Sequence, residues 1–159
     1  MESGESRQVA RCRARADLTV SADVAYTRFC DVEHVNDWLP HVHVKAVQQR
    51  YPTGLAEVVL FESEIQGARV TYTLKYVYDL KGKRVAWRTP EIEARVFRGN
   101  AGFVPRPGGG CELQYAIYEP TGDASMHART VEERTAYAET VVEAFKRWVE
   151  GPTTSPTKS

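Results

Sequence analysis

Residues able to do chemistry are sparse in this 159-residue chain, and the most conspicuous are phenols. Val70, Tyr72, Leu74, Tyr76 and Tyr78 share one face of a period-two pattern across Arg69–Leu80. Tyr115 holds a like place in the alternation of Cys111, Leu113, Tyr115 and Ile117. A buried phenol must find a hydrogen-bond partner. Tyr72, Tyr76 and Tyr115 are therefore candidates to donate to a ligand carbonyl, or to act as acids in an aldol or dehydration step. No nucleophile stands beside a base, and no glycine-rich phosphate loop precedes a helix. His41 and His43 raise the question of a metal, with Glu33, His34 and Asp37 nearby in sequence. Residues two apart in an extended segment share a face without converging on one ion, and the spacing fits no ligand set. The expectation is surface histidines, no metal and no cofactor.

The bulk numbers narrow the partners. The chain carries 21 basic and 21 acidic residues, a formal net charge of zero, with no long basic run. A nucleic-acid partner is not expected from that balance. Hydrophobic residues make up 42%, as in ordinary globular proteins. No apolar run approaches the roughly 18–20 residues of a membrane span, and the N-terminus lacks the apolar core of a secretory signal. Cys12, Cys30 and Cys111 form no CxxC pair and are odd in number, which suits idle thiols in a reducing, cytoplasmic setting. Glu57, Glu62, Glu64, Arg88, Arg95 and Arg98 read as cross-strand charge partners on an outer sheet face.

Periodicity supplies the elements that must position the phenols. Cys12, Ala14, Ala16, Leu18 and Val20 alternate with arginines and Asp17, predicting a half-buried first strand. Ser21 offers an N-cap for a short amphipathic helix over Ala22–Val32, and a second short turn over Glu33–Leu39 ends at Pro40. Strand patterns follow from Val42 to Ile117, including one over Ala94–Pro105, with turns at Pro52–Gly54, Gln66-Gly67, Lys81–Lys83 and Arg106–Gly110. The capping box Thr130-x-x-Glu133 opens the longest helical pattern, with an apolar stripe through Ala138, Val141, Val142, Phe145, Trp148 and Val149. Gly151 and Pro152 end it. Residues 1–6 and 151–159 are expected to be disordered, leaving one domain over 7–150.

Two segments carry a resemblance. Ser21-Ala-Asp-Val24, Asp31-Val-Glu33 and Asp37-Trp-Leu-Pro40 resemble the helix-pair signature of the START-like helix-grip (SRPBCC) superfamily. Gly99-Asn-Ala-Gly-Phe103-Val-Pro105, followed by Gly108–Gly110, resembles its hairpin. The closer similarity is to the polyketide cyclase/dehydrase and lipid-transport branch, which includes coenzyme Q-binding proteins. The resemblance implies an α+β helix-grip fold, in which a curved seven-stranded antiparallel sheet wraps a long C-terminal helix, with two short helices after the first strand. It also implies a cavity between sheet and helix for a small hydrophobic molecule such as a lipid, quinone or polyketide. Phe61, Tyr72, Tyr76, Trp87, Phe103 and Tyr115 are the expected sheet-side lining. Val141, Val142 and Phe145 would close it from the helix, with Trp38 near the mouth. Ala101 stands where the family hairpin often has Trp, a change expected to widen or reshape the cavity. Binding or transport is the function expected first; a cyclase or dehydratase acting in the same cavity, or a groove that receives a partner protein, are the alternatives.

Overall fold

The computed structural model describes residues 11–65, 67–90, 95–96, 98–118, 121–122 and 130–151. Of the stretches expected to be disordered, 1–6 and 151–159, all but Gly151 lie outside them. The chain is α+β. Strand β1 (Arg11–Leu18) leads into helix α1 (Ala22–Phe29) and a 3-10 segment (Val32–Asp37). Then come β2 (Val42–Arg50), β3 (Ala56–Ile65), β4 (Ala68–Asp79), β5 (Arg84–Arg88), β6 (Arg95–Val96), β7 (Arg98–Pro105), β8 (Cys111–Tyr118), β9 (Thr121–Gly122) and helix α2 (Val131–Glu150).

Seven strands form one antiparallel sheet in the order β1-β8-β7-β5-β4-β3-β2. Hairpin neighbours pair as the short turns require, while β1 returns to the far edge and pairs with β8 from Cys12↔Ile117 to Leu18↔Cys111. One departure from the expected pattern is at Ala94–Pro105. That segment is not a single strand, because Arg95–Val96 leaves the main sheet to pair with Thr121–Gly122. A second is the turn after α1, which is 3-10 rather than α-helical, with a kink at His34. Its backbone is drawn tight by Asn36, whose amide donates to the carbonyls of Pro40 and Val42.

The caps form where the sequence puts them. Ser21 Oγ accepts from the Val24 amide at 3.2 Å. Thr130 and Glu133 satisfy each other's backbone N–H groups at 2.9 and 3.0 Å. Along β1, Cys12, Ala14 and Leu18 are buried while Arg13, Arg15 and Asp17 are exposed, so the period-two pattern reports the core side correctly. The core lies between the concave sheet face and α2, and all three cysteines are buried thiols, Cys12 on β1, Cys111 on β8 and Cys30 at the C-cap of α1. Among the described residues no helix is long and apolar enough to cross a membrane.

The last turns of α2 are fastened to the end of β1. Lys146 Nζ donates to the Asp17 carbonyl at 2.7 Å and to Glu150 Oε2 at 3.0 Å. The same carboxylate oxygen accepts from the Thr19 amide at 2.9 Å. Burial alone would raise the Glu150 carboxyl pKa, but the hydrogen bonds from Lys146 and Thr19 outweigh it and lower the value. A carboxylate with a lowered folded pKa stabilises above its unfolded value and loses that contribution as the pH falls through the folded one. Wild type should therefore exceed Glu150→Gln in stability by a constant margin above about pH 5, with the margin lost as the pH falls from the unfolded carboxylate range through the lower folded value. Urea midpoints across that range check it. A margin that persisted in acid would mean the carboxylate is not what holds the helix end.

Candidate functional site

Between α2 and the sheet lies a cavity of about 170 Å³. Phe61 on β3, Tyr72, Leu74 and Tyr76 on β4, Trp87 on β5, and Tyr115 and Ile117 on β8 form its sheet side. These are inward positions two apart on neighbouring strands, and the pairings Phe61↔Tyr72 and Tyr76↔Trp87 set rings side by side. Centroid separations of 5.6 Å for Phe61–Tyr72, 6.1 Å for Tyr76–Trp87 and 5.9 Å for Trp87–Tyr115 make a continuous aromatic band. Gly99 permits it. A Cβ there would come within 2.7 Å of the Trp87 ring and 2.8 Å of the Ala116 carbonyl oxygen.

The helical side comes from three elements. Tyr137 and Val141, one turn apart on α2, face the cavity. Phe29 at the end of α1, Val32 and Val35 of the 3-10 segment, and Trp38, Leu39 and Val42 after it complete the enclosure. Of the residues expected to line the site, Trp38, Phe61, Tyr72, Tyr76, Trp87, Tyr115 and Val141 are brought together on this wall. Phe103, Val142 and Phe145 are buried but not on it. Phe145 instead centres a ring cluster beneath the cavity, 5.1 Å from Trp38, 5.2 Å from Phe29 and 6.0 Å from Phe103. Ala101 is fully buried in the core and away from the wall. The sequence reading missed Tyr137 and the contribution of the helix pair. The apolar residues Val32, Val35 and Leu39, three and four apart as on one helical face, carry the available signal.

The wall is apolar apart from its phenols. No Lys, Arg, His, Asp or Glu is among the described residues that line it. Tyr72 Oη shares a 2.6 Å hydrogen bond with the buried Ser63 hydroxyl, a diagonal neighbour on the β3–β4 ladder, where Ser63 pairs with Val70 and Tyr72 with Phe61. Tyr137 Oη lies 2.8 Å from His41 Nε2, so the first histidine of the pair is half-buried and joined to α2 rather than a free surface group. Burial raises the phenol pKa of Tyr72, against a smaller lowering from Ser63. Burial, then the neighbouring phenols, raises those of Tyr76 and Tyr115 much further. All three stay neutral hydroxyls at any physiological pH. The Cys30 thiol is pushed up to about 12 by burial and is likewise no nucleophile. Among the described residues no three His, Cys, Asp or Glu side chains come together as a metal site.

His41 precedes β2 and Tyr137 belongs to the first turns of α2, so their bond ties the two sides of the cavity together across 96 residues of sequence. Removing it through Tyr137→Phe should reduce stability by about 0.5–1.5 kcal/mol. A double-mutant cycle with His41→Ala, read by urea denaturation, should return a coupling of that size. Additive effects would show that the contact does not link the helix to the sheet edge.

No family model matches the sequence, and no curated protein matches it. Solved structures do. A START superfamily protein from Mycobacterium smegmatis superposes with a TM-score of 0.69 at 16% identity, covering 88% of this chain and 97% of that one. The ZhuI aromatase/cyclase from Streptomyces sp. R1128 gives 0.68 at 16%, covering 90% and 94%. Norcoclaurine synthase from Thalictrum flavum gives 0.62 at 14%, covering 89% and 94%. At such identities the likeness concerns the backbone. The seven-stranded sheet, the short helical pair after β1 and the long last helix together give this chain the START-like helix-grip fold.

Proposed function

We propose that this protein binds a small hydrophobic molecule in the cavity between α2 and the sheet, as a carrier or binding protein. The observation that carries this reading is the cavity itself, about 170 Å³ of space between α2 and the aromatic face of the sheet. Protein interiors pack to the density of organic crystals, and leaving such a gap lined by aromatic rings is costly unless something fills it. Apolar walls with a few placed polar groups are the usual design of a small-molecule site. The fold agrees with that use, since the solved structures that superpose on the chain include a START superfamily protein and an aromatase/cyclase.

The cyclase or dehydratase reading finds less support in the same wall. Its ionisable groups are phenols whose pKa values burial has raised, and a weaker acid gives up its proton less readily. A phenol of that kind is suited to donate a hydrogen bond and keep the proton.

Val141 is the position from which to test occupancy. It is fully buried on α2 and touches the cavity directly. Val141→Trp should place an indole in the gap, removing uptake of naphthalene by at least tenfold in equilibrium dialysis while the cooperative thermal transition is kept, because an existing void accepts added volume that a packed core would not. The wild type should take up naphthalene saturably, at about one per chain. A wild type that takes up none would show the gap to be closed in solution and would sink the binding function.

A further inference from the structure

The disposition of the tyrosine hydroxyls specifies the ligand further. The chain has eight tyrosines. Tyr26, Tyr51 and Tyr78 donate to the backbone carbonyls of Arg84, Tyr76 and Ala56 at 2.8, 2.7 and 2.6 Å. Tyr72 is held by Ser63, Tyr137 by His41, and Tyr118 accepts from the Asn100 amide at 3.4 Å. Tyr76 and Tyr115 alone have hydroxyls with no hydrogen-bond partner among the described residues. Both side chains are more than nine-tenths buried, at 9% and 8% exposure, and both line the cavity. Both oxygens keep some accessible surface, and the cavity is the space their rings line. Tyr72, Tyr76, Tyr115 and Tyr137 all line this one volume.

A buried hydroxyl without a partner is destabilising, and two facing the same gap make that gap an incomplete hydrogen-bonding site. Both are neutral phenols, and a phenol donates more strongly than it accepts. The missing partner is therefore an acceptor oxygen. It belongs to an uncharged group, because no cation lines the wall and a carboxylate placed there would be desolvated without compensation. Size bounds the rest. A dry cavity of about 150 Å³ is filled by benzene, so 170 Å³ takes one or two rings and not an extended acyl chain. Resting on the binding function above, we infer that the cavity selects a neutral, one- or two-ring molecule whose carbonyl oxygen accepts hydrogen bonds from Tyr76 and Tyr115.

The test uses three probes on one skeleton, titrated calorimetrically into the full chain: tetralin, 1-tetralone and tetralin-1-carboxylate. The ketone should bind about tenfold or more tighter than the hydrocarbon, as expected for one or two added hydrogen bonds. The carboxylate should bind at least tenfold more weakly than the ketone. In Tyr76→Phe/Tyr115→Phe the hydrocarbon should bind as in wild type, which also shows that the fold and cavity persist, and the preference for the ketone should disappear. Equal binding of tetralin and tetralone by wild type overturns the inference and leaves the binding function standing. A preference that survives the double substitution also overturns it, placing recognition elsewhere. Binding of none of the three by wild type overturns both.

Discussion

Everything in this fold depends on how one straight helix is held against a curved sheet. Lys146 and Glu150 fix the last turns of α2 to the backbone of Asp17 and Thr19. Just above them Phe145 packs among Phe29, Trp38, Phe103 and Trp148. Edge-to-face and tilted rings at these separations leave little free space. One turn further toward its N-terminus the helix presents Val141 and Tyr137, and there the cavity lies between it and the sheet. A tight lower contact thus sets the height at which the upper part of α2 stands off the aromatic band. The His41–Tyr137 bond closes the same gap from its other end.

That arrangement explains what could be seen in the sequence and what could not. Alternation in β1, β4 and β8 identified the inward residues, because the side-chain period of a strand is two and one face is buried. The capping residues at Ser21 and Thr130 likewise act within a single turn and are visible locally. The stripe on α2 was also visible, but a stripe gives direction around the helix and not height along it. Val142, next to Val141 in height, is turned about 100° away around the helix, while Phe145 shares the stripe with Val141 but lies a turn lower. Phe103 is displaced for the same reason, since it pairs with Leu113 at the end of β7 nearer the ring cluster. Splitting of Ala94–Pro105 into β6 and β7 rests on a partner at Thr121–Gly122, a long-range pairing that no local pattern contains.

The tyrosines show the same limit at finer scale. Periodicity placed Tyr72, Tyr76 and Tyr78 on one inward face, but their hydroxyls meet different fates. Tyr78 reaches the carbonyl of Ala56 at the start of β3, and Tyr72 reaches Ser63 near its end. Tyr76, between them on β4 and paired with Trp87 of β5, finds only the cavity. Which phenol is satisfied is decided by strand register and by where β3 begins and ends.

Satisfied and unsatisfied phenols also differ in what they contribute. Tyr26, Tyr51 and Tyr78 bind backbone carbonyls and so help hold strands and α1 in place. Tyr76 and Tyr115 contribute nothing of that kind, and the fold keeps them at a cost in desolvation. Apolar replacements of the same shape, Phe at both positions, would relieve that cost and preserve the ring contacts with Phe61 and Trp87. A protein under selection for packing alone has no reason to retain hydroxyls there. Tyr72 and Tyr137 spend their hydroxyls on Ser63 and His41, so Tyr76 and Tyr115 are the phenols of this wall that the packing leaves without a partner among the described residues. Raised pKa values sharpen the distinction, because a phenol that cannot ionise carries the same donor at every physiological pH.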